Sequence, residues 1–234
     1  NGVTYFLALN HLQPPFNNPG VRRALLPVLD QRAFIECVVG EQTEYGKWPT
    51  GYFTSTMPMA NDAGLGALTS ARDPALGRRL LTEAGYKGER LVLLHTTDQP
   101  FYNLATLVVA DSLHRVGLTI DDQAMDWGSV IARRAKKDPP NAGGWNAFLT
   151  SWVAADILNP VMAGFFNASC DKAMFGWPCD EKIEKMRDEF SKETDPAKQK
   201  QIAIDLQKYW VDNPTHINVG QWYAPMALRK NIDG

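Results

Sequence analysis

Arg90-Leu-Val-Leu-Leu-His95 is followed by Ala105, Val109, Leu113 and Val116 at helical spacing, then by Gly117 and Leu118-Thr-Ile120. The first run is apolar and short enough for a buried strand, the middle stretch has one apolar helical face, and the last begins a second strand. Strand, helix, strand is the order that a right-handed crossover between parallel strands requires. Between the first strand and the helix, Thr96-Thr-Asp-Gln-Pro-Phe-Tyr-Asn103 reads as a loop at the strand's carboxyl end, where open α/β sheets build ligand crevices.

Upstream, Thr4 to Leu9 is β-rich, and adjacent prolines in Gln13-Pro-Pro-Phe-Asn-Asn-Pro19 forbid helix. Val21, Ala24, Leu25 and Val28 mark a helix kinked by Pro27, and Asp30 caps the next, with Phe34 and Val38 inward. Residues 40–71, rich in Gly, Pro and Thr, read as a long irregular excursion held by Trp48, Tyr52 and Phe53. Asp73-Pro opens a helix that Gly85 ends.

Downstream, Trp127 to Lys137 reads as a helix whose basic end (Arg133, Arg134, Lys136, Lys137) complements the helix dipole and is solvated. Phe148, Leu149 and Trp152 begin a strand that breaks at Asn159-Pro160, and Asp156 sits just before the break among Val153, Ala154, Ala155, Ile157 and Leu158. A carboxylate in so apolar a setting is either a solvated loop residue or is kept for a cationic partner. Asp180 and Asp195-Pro196 open two helices, and His216 to Tyr223 is a last strand. Alternation of strands and helices along the whole length gives the α/β class.

The 234 residues carry 24 basic and 26 acidic side chains scattered along the chain, a balance that gives no support for nucleic-acid binding, which needs a basic face. The sequence holds no apolar run of about 18 residues, the length a membrane-spanning helix needs. It opens on Asn1 with no leader-like segment, so the chain is expected to be processed or cut from something longer. Cys170 and Cys179 bracket Gly176 and Pro178; the pair reads as a disulfide, as two buried thiols or as half a metal site. No histidine lies close enough in sequence to complete a metal set, and Cys37 reads as a small buried hydrophobe. No His-Glu-x-x-His, Gly-x-Ser-x-Gly or phosphate-cradling glycine loop appears.

Four pieces of this sequence, in order, are similar to the extracytoplasmic solute-binding proteins of family 5, the dipeptide- and oligopeptide-binding components of ABC transporters. They are Pro15-Phe-Asn-Asn through Val21-Arg-Arg-Ala-Leu to Leu29-Asp-Gln-Arg, Leu80-Leu-Thr-Glu-Ala-Gly-Tyr86, Trp152 with Asp156 and Pro160, and Gly176-Trp-Pro-Cys-Asp180. The resemblance implies the C-terminal lobe of a periplasmic-binding-protein-like fold (type II, dipeptide-binding type), a mixed sheet flanked by helices. Residues 1–234 would form one ligand-binding lobe, with the N-terminal lobe missing. It also implies a Cys170–Cys179 disulfide and hence a periplasmic location.

By the same resemblance, Asp156 would receive the α-amino group of a peptide or other small molecule, Trp152 would wall the pocket, and Gln99 and Phe101 would touch the ligand. Two departures stand out. Where dipeptide-binding relatives carry an arginine for the peptide carboxylate, this chain has Gln99, which donates hydrogen bonds without neutralising charge. The spacer from Trp152 to Asp156 is also one residue longer. A longer peptide, an opine-like amine or another cationic solute therefore fits as well as a dipeptide. The implied partners are the solute and a membrane ABC permease, with the protein itself monomeric and using no cofactor or metal. The alternatives are a cytoplasmic ligand-sensing domain of a regulator, and a hydrolase using Asp98 and Asp156 with His95 or His216 as base.

Overall fold

The computed structural model describes residues 2–55, 57–69, 72–223 and 229. In order these form β1 (Gly2–Leu9), α1 (Pro19–Ala24), α2 (Gln31–Val39), β2 (Gly46–Lys47), α3 (Gly66–Thr69), α4 (Pro74–Glu83) and β3 (Arg90–Thr96). Then come α5 (Pro100–Arg115), β4 (Thr119–Met125), α6 (Trp127–Arg134), β5 (Ala147–Val153), α7 (Glu181–Lys192), α8 (Pro196–Asp212) and β6 (His216–Tyr223). The six strands make one mixed sheet in the order β2-β6-β1-β5-β3-β4.

The stretch from β3 to β4 folds as its pattern demands. Leu91, Val92, Leu93 and Leu94 are all buried, each contributing on the order of 1.5–3 kcal/mol relative to an exposed side chain. On α5, Ala105, Val109 and Leu113 face the core. Gly117, at φ +92°, ends the helix: its N–H donates to the His114 carbonyl and the Leu118 N–H to that of Leu113. β3 and β4 then pair in parallel from Arg90↔Thr119 to Thr96↔Met125.

β3 also runs parallel to β5, β5 antiparallel to β1, and β1 antiparallel to β6. The carboxyl ends of β3, β4, β5 and β6 therefore share one edge of the sheet, together with the start of β1. Every sequence-predicted ligand contact lies on or just beyond that edge.

Three expectations are corrected. The segment after β3 is a loop only as far as Gln99, because Pro100 starts α5: its fixed φ and missing N–H suit the first helical position. The helix over Val21–Val28 stops at Ala24, so Pro27 lies in the turn beyond α1 rather than kinking it. The 40–71 excursion contains a strand, since β2 pairs with β6 through Gly46↔Trp222 and Lys47↔Gln221. Thr56, Ser70 and Ala71, which belong to that excursion, lie outside the described residues. As its aromatics suggested, Tyr52 and Phe53 are buried, and Tyr52 stacks on Phe166 with ring centroids 4.2 Å apart. The expected caps Asp30, Asp73, Asp180 and Asp195 all accept backbone N–H groups of their helices.

Candidate functional site

On one face of the sheet, alternate residues of neighbouring strands point the same way, as the two-residue period of a strand requires. Phe6 opposes Thr150, Ala8 opposes both Phe148 and His216, and Thr4 opposes Trp152. Phe6, Ala8, Phe148, Thr150, Trp152 and His216 floor a cavity of about 270 Å³. Tyr102 from α5, Trp127 and Arg134 from α6, and Met174, Phe175 and Pro178 from the cysteine loop complete its walls.

That loop is closed by a Cys170–Cys179 disulfide. The Cys170 N–H donates to the Pro178 carbonyl, and the His11 N–H donates to that of Gly176. Gly176 sits at φ +104°, and a Cβ there would lie 2.4 Å from the Leu9 carbonyl oxygen, so only glycine lets the loop approach β1 this closely. The free cysteine, Cys37, is half-buried rather than buried.

Tyr102 and Trp127 stack with ring centroids 5.1 Å apart, and the Tyr102 hydroxyl meets Ser151 Oγ at 2.7 Å. Asp126 caps α6 by accepting from Ser129 N at 2.9 Å. The α6 stripe Trp127, Val130, Arg134 faces inward, so Arg134 turns into the cavity. Its Cζ lies 4.6 Å from the Phe175 ring centroid and 5.6 Å from that of Trp127. Burial holds its pKa below the usual guanidinium value. Arg133 and Lys137 differ: Arg133 donates to the carbonyls of Gly143 and Gly144 at 3.0 Å, and Lys137 pairs with Asp171 at the surface. The basic cluster read as solvated is thus split, with one cation facing the aromatic walls.

His216 is fully enclosed among Phe6, Tyr52, Phe165, Phe166 and Trp210, and burial lowers its pKa to about 3, so the imidazole is neutral. Arg134 is then the one formal charge among the described lining residues, and none of them is an acid.

Of the residues read from sequence, Trp152 lines this cavity, half-buried, with its ring 5.9 Å from Phe165. Asp156 lies beyond it, exposed, in a one-turn 3-10 helix (Ala154–Asp156) that follows β5, and does not line the cavity. It has no ion-pair partner among the described residues. Gln99 is the exposed residue before α5 and its side chain makes no cap bond. Phe101, 43% exposed, packs its ring 4.9 Å from that of Trp222 at the end of β6. The cavity and the carboxyl-edge residues thus adjoin through β5 without sharing one lining.

Two of the residues read as a hydrolytic set, Asp98 and His95, are otherwise engaged. Asp98 Oδ1 accepts the Trp127 N–H at 2.8 Å, tying the loop after β3 to the start of α6. His95 Nδ1 lies 2.9 Å from Asp122, and its Nε2 2.8 Å from Asn103 Oδ1.

Sequence reasoning missed Tyr102, Trp127, Arg134, Phe175 and His216 as cavity residues. A signal existed for two of them: Trp127 and Arg134 are seven residues apart on one helix, the spacing that returns to the same face. Phe175 has no such signal, since the disulfide loop alone sets its direction.

The model of the bacterial extracellular solute-binding proteins, family 5 Middle, matches residues 1–173. A probable peptide ABC transporter periplasmic-binding protein of Sinorhizobium fredii is 33% identical over 233 residues, covering 100% of this chain and 44% of its own length. A glutathione-binding protein of Pectobacterium atrosepticum is 27% identical over 222 residues, with 89% and 40% covered. Among solved structures, an ABC transporter substrate-binding protein of Listeria monocytogenes superposes with a TM-score of 0.79 at 16% identity, over 94% of this chain and 44% of that one. The chain therefore spans about two fifths of the length of the curated relatives it matches. Its neighbours in fold bear out the periplasmic-binding-protein-like α/β lobe with a mixed central sheet.

Proposed function

Because the chain belongs to the bacterial extracellular solute-binding proteins of family 5, we propose that the protein carrying it captures a peptide or other amine-bearing small solute and delivers it to an ABC permease in the membrane. The observation that carries this reading is the aromatic-walled cavity beside the carboxyl edge of β3, β4 and β5, with Trp152 at its rim. Such crevices beyond strand ends are where open α/β sheets hold ligands.

In this reading a second, N-terminal lobe, the one that the family resemblance implies, closes over the edge and buries the solute between two jaws. Asp156 would meet the solute's ammonium there. An exposed carboxylate without an ion-pair partner among the described residues is available for that, and closure would strengthen the pair by removing water from both charges. Trp152 supplies an apolar wall, and Gln99 and Phe101 stand at the same edge as neutral contacts. Capture requires no bond making, and Asp98 and His95 already serve structural hydrogen bonds, so the protein acts as a binder rather than an enzyme. The Cys170–Cys179 disulfide supports a periplasmic site of action over a cytoplasmic sensor, because such bonds persist in oxidising compartments. The whole protein would work as a monomer, its two lobes providing the interface that a dimer otherwise supplies.

Native mass spectrometry of the intact protein purified from its own host tests this. A co-purifying solute with a free amine is the expected result; a sugar or a neutral lipid in its place would overturn the reading.

A further inference from the structure

Among the described residues, Arg134 is a cation without a counter-charge. Its Nε is buried and has no hydrogen-bond partner, and none of the described ion pairs includes it. Its neighbour Arg133 shows what a structural arginine looks like here, with two backbone carbonyls within 3.0 Å. The guanidinium of Arg134 instead lies over Phe175, with Phe148 and Trp127 flanking it. Ring contacts of this kind use no N–H donor, and the guanidinium makes no hydrogen bond among the described residues, so its donors remain available for the two-pronged pairing that a carboxylate offers.

The surroundings select the same ligand chemistry. With no acid among the described lining residues and His216 neutral, those residues carry one positive charge among aromatic walls. An ammonium placed there would meet repulsion and no partner. A carboxylate would be neutralised, and its apolar body would fit a cavity at the small end of the ligand-binding range.

We infer that Arg134 is the carboxylate anchor of this lobe, so that the solute is zwitterionic or anionic, with its acid end in the aromatic cavity. Resting on the solute-capture reading, this supplies the positive charge that Gln99 lacks, from a different helix. It also orients the solute: the acid end lies inside the lobe, and any amine points outward to the carboxyl edge, where Asp156 sits.

The test is calorimetry on the intact protein with three probes: Ala-Phe, its N-acetyl derivative (acid end only) and its C-terminal amide (amine end only). Arg134→Gln is expected to weaken Ala-Phe and acetyl-Ala-Phe at least tenfold while leaving the amide within twofold. Arg134→Lys, which keeps the charge, is expected to restore part of the preference for acid over amide. Equal weakening of all three probes, unchanged binding, or no binding of acetyl-Ala-Phe by the unaltered protein would overturn the inference. Failure of the amine reading is separate: it shows as Asp156→Asn leaving the amide unaffected.

Discussion

Asp156 and Arg134 are charges of opposite sign that the fold treats in opposite ways. Asp156 stands in water on a one-turn helix past the end of β5, while Arg134 is turned inward from α6 onto aromatic rings. A charge left in water keeps its hydration and can wait at little cost. A charge drawn among apolar groups loses hydration, and the fold retains it only with something to offset that loss. In the proposed reading, the exposed edge and the walled cavity would divide recognition between them. The edge offers an accessible anion, and the cavity a shaped and partly dry cation.

Given that division, damage to the packing behind the cavity floor should act on stability and damage to the edge on binding. The largest effect is expected for Trp145→Ala. This fully buried indole packs 5.0 Å from Phe148 and 6.0 Å from Trp177, and its Nε1 donates to the Arg134 carbonyl. Loss of about 3–5 kcal/mol in urea unfolding is expected, as for other buried aromatics. A loss below about 1 kcal/mol would mean that the floor is not packed as described.

Next comes the disulfide that holds Met174 and Phe175 against the cavity. Replacing Cys170 and Cys179 together by Ser should lower stability by about 2–3 kcal/mol through the freed unfolded chain. A count of one free thiol in the denatured, unreduced protein should accompany the unaltered chain, against three if the bond does not form.

His216 makes the cavity's support pH-sensitive. Its folded pKa, about 3, lies below the usual 6.5, so between these values the unfolded chain binds the extra proton. Stability is then full above about pH 6.5 and falls as pH drops, by up to about 1.4 kcal/mol per pH unit from this group. Chemical denaturation of His216→Gln alongside the unaltered protein at pH 7 and pH 5 should show a smaller pH difference for the variant. An equal difference would place the protonation elsewhere.

The smallest effect is expected at Asp98, whose carboxylate joins the β3 and β4 carboxyl-end loops. Asp98→Ala should lower stability by about 1 kcal/mol, seen as a shifted urea midpoint. A chain that lost ligand binding outright instead would make Asp98 part of the edge's recognition surface.

How far the sequence carries these conclusions follows from how local each determinant is. β3, α5 and β4 are legible because their apolar spacing is a property of consecutive residues, and the Asp caps because a cap needs only its own helix. Pro100 misleads because proline favours both a turn and a first helical turn, and the stacking of Tyr102 on Trp127 decides for helix only in the folded chain. Trp152 and the disulfide come through resemblance. Arg134 is hidden by its company: with Arg133, Lys136 and Lys137 beside it, a solvated helix end is the simplest account. It shares the inward face of α6 with Trp127, but the Phe175 ring it lies over reaches the cavity by way of a loop closed much later in the chain.

The most direct test of the capture account is isothermal titration of the intact protein and its Asp156→Asn variant with Ala-Phe amide, whose one charge is its amine. Removal of one partner from an enclosed ion pair should weaken binding by about 2–4 kcal/mol, with thermal stability unchanged. Equal affinity in the two proteins would contradict the account and leave the carboxyl edge without its chemistry.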